Sequence, residues 1–189
     1  MTEKEKMLAG LLYDAPNEEL HADRMRAKEL VYQFNACLPS EEERRREIIT
    51  SLFGKTGEHF CVESPLRCDY GYNVEIGERF YANYNLVILD CARVMIGDDV
   101  LIGPNVSIYT VEHPIDPVER KTLKEFASSV RIGNGVWIGG SVTILSGVSI
   151  GDYAVIGAGS VVTRDIPASV VATGNPCHVI KEIPRTFVD

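Results

Sequence analysis

The sequence predicts a mainly β protein, a parallel β-helix of hexapeptide repeats with an N-terminal helical segment, and three observations carry this prediction. Within "VWIGGSVTILSGVSIGDYAVIGAG", residues 136–159, isoleucine stands at 138, 144, 150 and 156, always six apart. An amphipathic helix repeats near 3.6 and a half-buried strand at 2, so a strict six is a triple of the strand period or a different architecture. Gly139, Gly151 and Gly157 each follow one of these isoleucines, and in a helix each would cost about 1 kcal/mol relative to Ala. Small or branched residues (Val136, Val142, Val148, Ala154, Ser160) stand two places before the next aliphatic position. What remains is a short strand, a tight turn and another short strand, the unit of stacked coils that bury a continuous core together. A sandwich is the alternative, but its strands would vary in length and these do not.

Residues 1–54 lack the hexads and are rich in Glu, Arg, Leu and Ala, so two or three helices precede the coil. In "EELHADRMRAKELVYQFN", Leu20, Ala27, Leu30, Val31 and Phe34 mark one apolar face that must pack on something. "PSEEERRREIITSLFG" offers a capping box from Ser40 to Glu43 and a helix-ending Gly54, with the charge run from Glu41 to Glu47 as a solvated face. The coil is assigned to residues 55–175 and a tail to 176–189. Its frame predicts an 18-residue triangular coil that stacks Ile132 on Ile150, Ile138 on Ile156 and Ile144 on Val162, with Ile96, Ile102 and Ile108 as an earlier run.

The hexads falter twice. Between Ile88 and Ile96 the frame slips by two residues at "ILDCARVM", and between Ile108 and Ile132 it disappears. Residues 109–131, "YTVEHPIDPVERKTLKEFASSVR", hold the prolines and charges that the coil avoids, which makes them an excursion loop, and loops of that length in compact domains are usually functional. The loop carries His113, whose neighbour Pro114 favours extended backbone where the chain leaves the coil. A neutral imidazole there suits a general base near pH 7, although a lone surface histidine is the ordinary reading of such a residue.

The net charge of −8 argues against nucleic acid and anionic membranes, both of which would repel the chain overall. Five cysteines (Cys37, Cys61, Cys68, Cys91, Cys177) at irregular spacings, with no CxxC pair, indicate neither a disulfide framework nor a zinc site. The start, "MTEKEKMLAG", has no apolar run of signal-peptide or membrane-span length, so the reading is cytoplasmic.

Taken together, the hexads, "HPIDPVERK" and the closing "GNPCHVIKEI" resemble the sugar O-acetyltransferases of the left-handed β-helix superfamily over nearly the whole chain. "MLAGLLYD" resembles that family's helical maltose-acetyltransferase segment and "RCDYGYNVEIGERFYANYN" its acceptor-side stretch, closer to the maltose type than to the galactoside type. The left hand of the coil comes from this resemblance alone, because parallel crossovers are otherwise overwhelmingly right-handed.

The resemblance implies transfer of an acetyl group from acetyl-CoA to a hydroxyl of a sugar such as maltose or glucose. His113 would be the general base of a direct attack, with no metal and no covalent acetyl-enzyme. Glu125 matches an acidic residue of the maltose type and would orient or charge-stabilise the imidazole, against an ordinary reading as a solvated loop acid. Acceptor residues carry over as Asp14, Asp69, Tyr81, Asn83 and Asp90, although outside the resemblance Asn83 and Asp90 read as turn residues. The galactoside type has a serine at the position of Asp69 and a second Asp where this chain has Cys91. For acetyl-CoA the matching positions are Gly140, Ala158, Thr163, Arg164, His178 and Lys181, with the N–H of Gly140 as oxyanion donor, where the galactoside type has Ser. Trp137 would wall the pantetheine channel, or be a large core or interface residue. The family's site lies between subunits, so a homotrimer is expected.

Three competitors have discriminating features. A carbonic anhydrase on the same coil needs three ligand histidines at an interface, and His21, His59, His113 and His178 are scattered. A scaffold protein would not need His113 in its Pro-bounded loop. An acetyltransferase for another hydroxyl acceptor, such as a galactoside, an oligosaccharide precursor or an antibiotic, shares every feature above.

Overall fold

Ile132 pairs in parallel register with Ile150, Ile138 with Ile156 and Ile144 with Val162, the three stackings that the hexad spacing predicts. The structure is a computed structural model that describes residues 1–184. Its coil has three faces. Face one holds Val74–Ile76, Val94–Ile96, Val130–Ile132 and Ser149–Ile150. Face two holds Phe60–Val62, Phe80–Ala82, Leu101–Ile102, Trp137–Ile138, Val155–Ile156 and Val170–Thr173. Face three holds Leu66–Cys68, Leu86–Leu89, Ser107–Tyr109, Thr143–Ile144 and Val161–Val162. In Val74–Ile76 and Val94–Ile96 the Val and Ile side chains point into one continuous buried core and the residue between them points out, and the last isoleucine or valine of the two-residue strands joins the same core.

The glycine after each isoleucine of faces one and two answers to stacking rather than to backbone dihedral. A Cβ on Gly139 would lie 2.6 Å from the backbone N of Ala158 in the next coil, and one on Gly103 would lie 2.6 Å from that of Gly140. Left-handed backbone falls instead on the third residue of the corners, at Asn85, Asn105, Ser141 and Tyr153 among others. Asn takes that conformation more readily than most side chains do.

The two-residue slip occurs twice. Cys68 pairs with Ile88 and Ile76 with Ile96, so the corner from 69 to 73 has the same excess as the corner from 89 to 93. These two enlarged corners stack on the edge where face three passes into face one. The excursion loop leaves from the same edge one coil later, while Val130–Ile132 pairs directly with Val94–Ile96 and keeps the wall continuous beneath it.

Helices α1 (Glu3–Leu8), α2 (Glu18–Ala36) and α3 (Glu42–Leu52) precede the coil. Leu20, Ala27, Val31 and Phe34 of α2 are buried, as their spacing predicts. With Ile48, Ile49 and Leu52 of α3, all but Leu20 join the coil core around Val62, Leu66 and Phe80 and so cover its first turn. The capping box from Ser40 to Glu43 does not form. α3 starts one residue later, behind Glu41, which makes no side-chain cap. The Glu41 carboxylate turns back to accept from the Leu38 N–H and the Arg44 guanidinium instead. Gly54 is no left-handed cap either: α3 ends at Leu52 on an extended Phe53, and Gly54 is needed because a Cβ there would lie 2.2 Å from the Tyr72 carbonyl oxygen.

Inside the excursion, Val111–Glu112 pairs antiparallel with Lys124–Ala127 on either side of a short helix α4 (Pro117–Arg120). Tyr13–Asp14 pairs with the other side of Lys124–Ala127 and makes a three-stranded sheet. At the far end, His178–Glu182 lies antiparallel to Val170–Thr173, so the segment expected as a tail contributes a strand; residues 185–189 lie outside the described residues. No helix among the described residues is long and apolar enough to cross a membrane.

Candidate active site

The small sheet places His113. Val111 lies opposite Ala127 and Glu112 opposite Phe126, and one further step of that register brings His113 opposite Glu125. The His113 Nδ1 is 3.4 Å from the Lys124 carbonyl oxygen and its Nε2 is 3.7 Å from Glu125 Oε1. With the proton on Nδ1 the ring N–H would point at that carbonyl, and the Nε2 lone pair, on the Glu125 side of the ring, would be the proton acceptor. The imidazole is half exposed. Its strand is pinned from the next coil, where the Ser146 hydroxyl donates to the Glu112 carboxylate. This arrangement can take a proton from a hydroxyl and set the resulting imidazolium beside a carboxylate.

Below the loop, the enlarged corners supply the carboxylates. The Cys91 thiol lies 3.7 Å from Asp69 Oδ2. Burial raises the Asp69 carboxyl above its ordinary range, and the Cys91 thiol beside it moderates the shift. Burial also pushes the Cys91 thiol well above the usual thiol range, so no thiolate forms at neutral pH. Asp69 also borders a cleft of about 650 Å³ between α2 and face three, shared with Lys28, Tyr32, Arg67 and Leu89. A broader trough of about 1000 Å³ runs along face one and touches none of the candidate residues.

Asp90 is corrected as an acceptor contact. The residue is 0% exposed, its Oδ1 accepts from the N–H groups of Asp69 and Tyr70, and its Oδ2 is buried without a partner. Burial pushes its carboxyl up to about 7. It holds the corner that presents Asp69 and cannot itself meet a solute. Asp14 is exposed at the end of its strand, with its N–H held by Glu3 Oε2 at 2.6 Å.

The remaining candidates stand elsewhere on the prism. Tyr81 and Trp137 point outward from face two in one column that runs Cys61, Tyr81, Leu101, Trp137, Val155, Val171 and ends beside Lys181. Trp137 is 56% exposed and Leu101 49%, so Trp137 is not a core residue. Asn83, Gly140 and Ala158 occupy the corners between faces two and three, the Asn83 side chain accepting from the Tyr84 N–H. Thr163 and Arg164 lie exposed on the His113 edge, and His178 pairs with Thr173 at the last strand. One chain therefore brings together His113, Glu125 and Asp69 and leaves Tyr81, Asn83, Trp137 and Gly140 on another edge and face. No group of three or more metal-ligating side chains is gathered among the described residues.

The sequence reading missed Tyr13, which is 0% exposed and whose hydroxyl donates to Glu125 Oε2 at 2.6 Å. Its only signal was an aromatic residue in "LLYD", a stretch read as helical.

Comparison with known proteins bears on this geometry. The family pattern described as a maltose acetyltransferase hexapeptide capping motif matches residues 6–57, and the bacterial transferase hexapeptide pattern of six repeats matches residues 129–164. The chain is 49% identical over 179 residues to the galactoside O-acetyltransferase of Escherichia coli, covering 95% of this chain and 88% of that one. A crystal structure of a maltose O-acetyltransferase from Clostridium difficile 630 superposes with a TM-score of 0.97 at 52% identity, over 98% of this chain and 99% of that one. A galactoside acetyltransferase in complex with coenzyme A superposes with a TM-score of 0.94 at 46% identity, over 100% and 97%.

Proposed function

Because the chain belongs to the maltose and galactoside O-acetyltransferase family of hexapeptide-repeat acetyltransferases, we propose that it moves the acetyl group of acetyl-CoA to a hydroxyl of a sugar such as maltose or glucose, with His113 as general base. The observation that carries the proposal is the placement of His113 and Glu125 side by side on the loop sheet, above the corner that presents Asp69.

The acceptor hydroxyl gives its proton to Nε2 of His113 while its oxygen attacks the thioester carbonyl. The imidazolium is stabilised by Glu125, and the negative charge on the former carbonyl oxygen calls for a fixed donor, a role for the Gly140 N–H. The C–S bond then breaks, the thiolate takes the proton back from His113, and an acetyl ester and free CoA leave. In this reading the acetyl group passes directly to the acceptor oxygen, with no covalent acetyl-enzyme.

The separation of the candidate residues over two edges supports a homotrimer. His113, Asp69, Thr163 and Arg164 on one subunit's edge would face Asn83, Trp137, Gly140 and Ala158 of a neighbour, with the apolar column of face two covered between them. His178, Lys181 and Arg164 would meet the phosphates of acetyl-CoA. Asp69 would read the acceptor.

The test is thiol release from acetyl-CoA with maltose, glucose and a β-galactoside as acceptors. Release that depends on maltose or glucose, with a lower kcat/KM for the β-galactoside, supports the proposal. Release no faster with any sugar than without one overturns the acceptor class.

A further inference from the structure

Tyr13, Glu125 and His113 form one row across three strands. Tyr13 lies opposite Glu125 in the register of the first pair of strands, and His113 reaches the other side of Glu125 by the register of the second. Side chains directly opposite on antiparallel strands share a face, with Cβ atoms about 4.5–5.5 Å apart. The two oxygens of one carboxylate are thereby divided: Oε2 accepts from the Tyr13 hydroxyl at 2.6 Å, and Oε1 lies 3.7 Å from Nε2 of His113. Tyr13 is itself immobilised. Its ring is buried in a small cluster with Met7 of α1, Leu20 of α2, Tyr70, Cys91, Ala92 and Ala127. The adjoining Asp14 N–H is held by Glu3 of α1.

We infer that Tyr13 is a positioning residue for the His113–Glu125 pair: its hydroxyl fixes Oε2, so that Oε1 stays turned toward the imidazole. The inference rests on the reading of His113 as the base. An unrestrained glutamate has three rotatable bonds to order, and a carboxylate already oriented needs no reorganisation when the imidazole becomes positive. Burial holds the Tyr13 phenol far above its ordinary range, so it stays a donor throughout the working pH of the enzyme. The N-terminal segment thus acts on the chemistry and not only on the end of the coil.

A double-mutant cycle separates this role from packing. Tyr13→Phe keeps the ring and removes the hydroxyl, and should lower kcat roughly tenfold, the size of one charge-assisted hydrogen bond, with the KM for acetyl-CoA unchanged. In a Glu125→Ala background the same change should alter kcat less than about twofold, because the group it acts through is gone. An equal loss in both backgrounds, or wild-type kcat in Tyr13→Phe, overturns the inference. Should Tyr13→Phe not fold, Glu125→Asp replaces it: the shorter carboxylate cannot span from the Tyr13 hydroxyl to the imidazole, so kcat should fall with charge conserved, and wild-type kcat there overturns the inference. His113→Ala assayed alongside distinguishes the two failures. If it retains full kcat, the base reading falls and takes this inference with it; if it is inactive and Tyr13→Phe is normal, only the role of Tyr13 falls.

Discussion

Gly139→Ala tests the close stacking of coils that the hexad glycines make possible. The new Cβ would lie 2.6 Å from the Ala158 N, 2.9 Å from its Cα and 3.0 Å from the Ile156 carbonyl oxygen, all of them backbone atoms that no rotamer can move aside. Restoring an ordinary contact of about 3.5 Å requires the coils to part by roughly 0.9 Å. That would stretch the Gly139 N–H to Ile156 O bond, now 2.8 Å, beyond hydrogen-bond range. Overpacking of this kind costs about 1–3 kcal/mol. At about 2–4 °C per kcal/mol for a chain of this size, Tm should fall by roughly 2–12 °C. Gly140→Ala is the control: its Cβ would meet only Pro104, at 3.2–3.4 Å, and the cost should stay below about 1 kcal/mol. Calorimetry at one protein concentration decides. Equal Tm values for the two variants, or a lower one for Gly140→Ala, would refute the account of why glycine follows isoleucine.

Leu101→Glu combined with Trp137→Glu should turn a trimer, at three times the chain mass of 20.9 kDa, into monomers by sedimentation; a wild type that sediments as a fully active monomer contradicts the subunit arrangement. Arg164→Glu and Lys181→Glu should each weaken acetyl-CoA binding and leave the acceptor KM unchanged, and wild-type affinity should fall as salt rises; salt-independent binding shows that these side chains point elsewhere. Asp90 gives a pH test. Its folded value of about 7 lies above the carboxylate norm of 3.8, so its contribution to stability is present below pH 3.8 and is lost as pH rises through about 7. The Tm of the wild type relative to Asp90→Asn should therefore be higher at pH 5 than at pH 8, and parallel curves would refute the assignment.

The coil was legible because its rule is local. A six-residue period places Ile138 on Ile156 with no knowledge of the rest of the chain. The excursion was legible as a break in that period, and His113 as the one histidine inside it. What was lost obeys no period. The sheet of Tyr13–Asp14, Lys124–Ala127 and Val111–Glu112 is made of two- and four-residue strands, the first of them far from the other two in sequence, so neither the row of Tyr13, Glu125 and His113 nor its register has a sequence signal. Asp90 reads from the residues alone as a turn residue, and only the resemblance set it on the acceptor; the N–H groups of Asp69 and Tyr70, which turn its carboxylate inward, have no sequence signal. Ser40 was read as a cap from the residue types alone, whereas the turn from Leu38 to Glu41 sets where α3 begins.

The kcat of His113→Ala with saturating acetyl-CoA and maltose tests the central claim most directly, with acetyl-CoA binding measured separately on the same preparation. Proton transfer by a positioned side chain typically contributes roughly 10²–10⁴-fold, so kcat should fall by that factor while acetyl-CoA binds as tightly as to the wild type. A variant that binds acetyl-CoA normally and turns over at a near-normal rate would show that His113 is not the base.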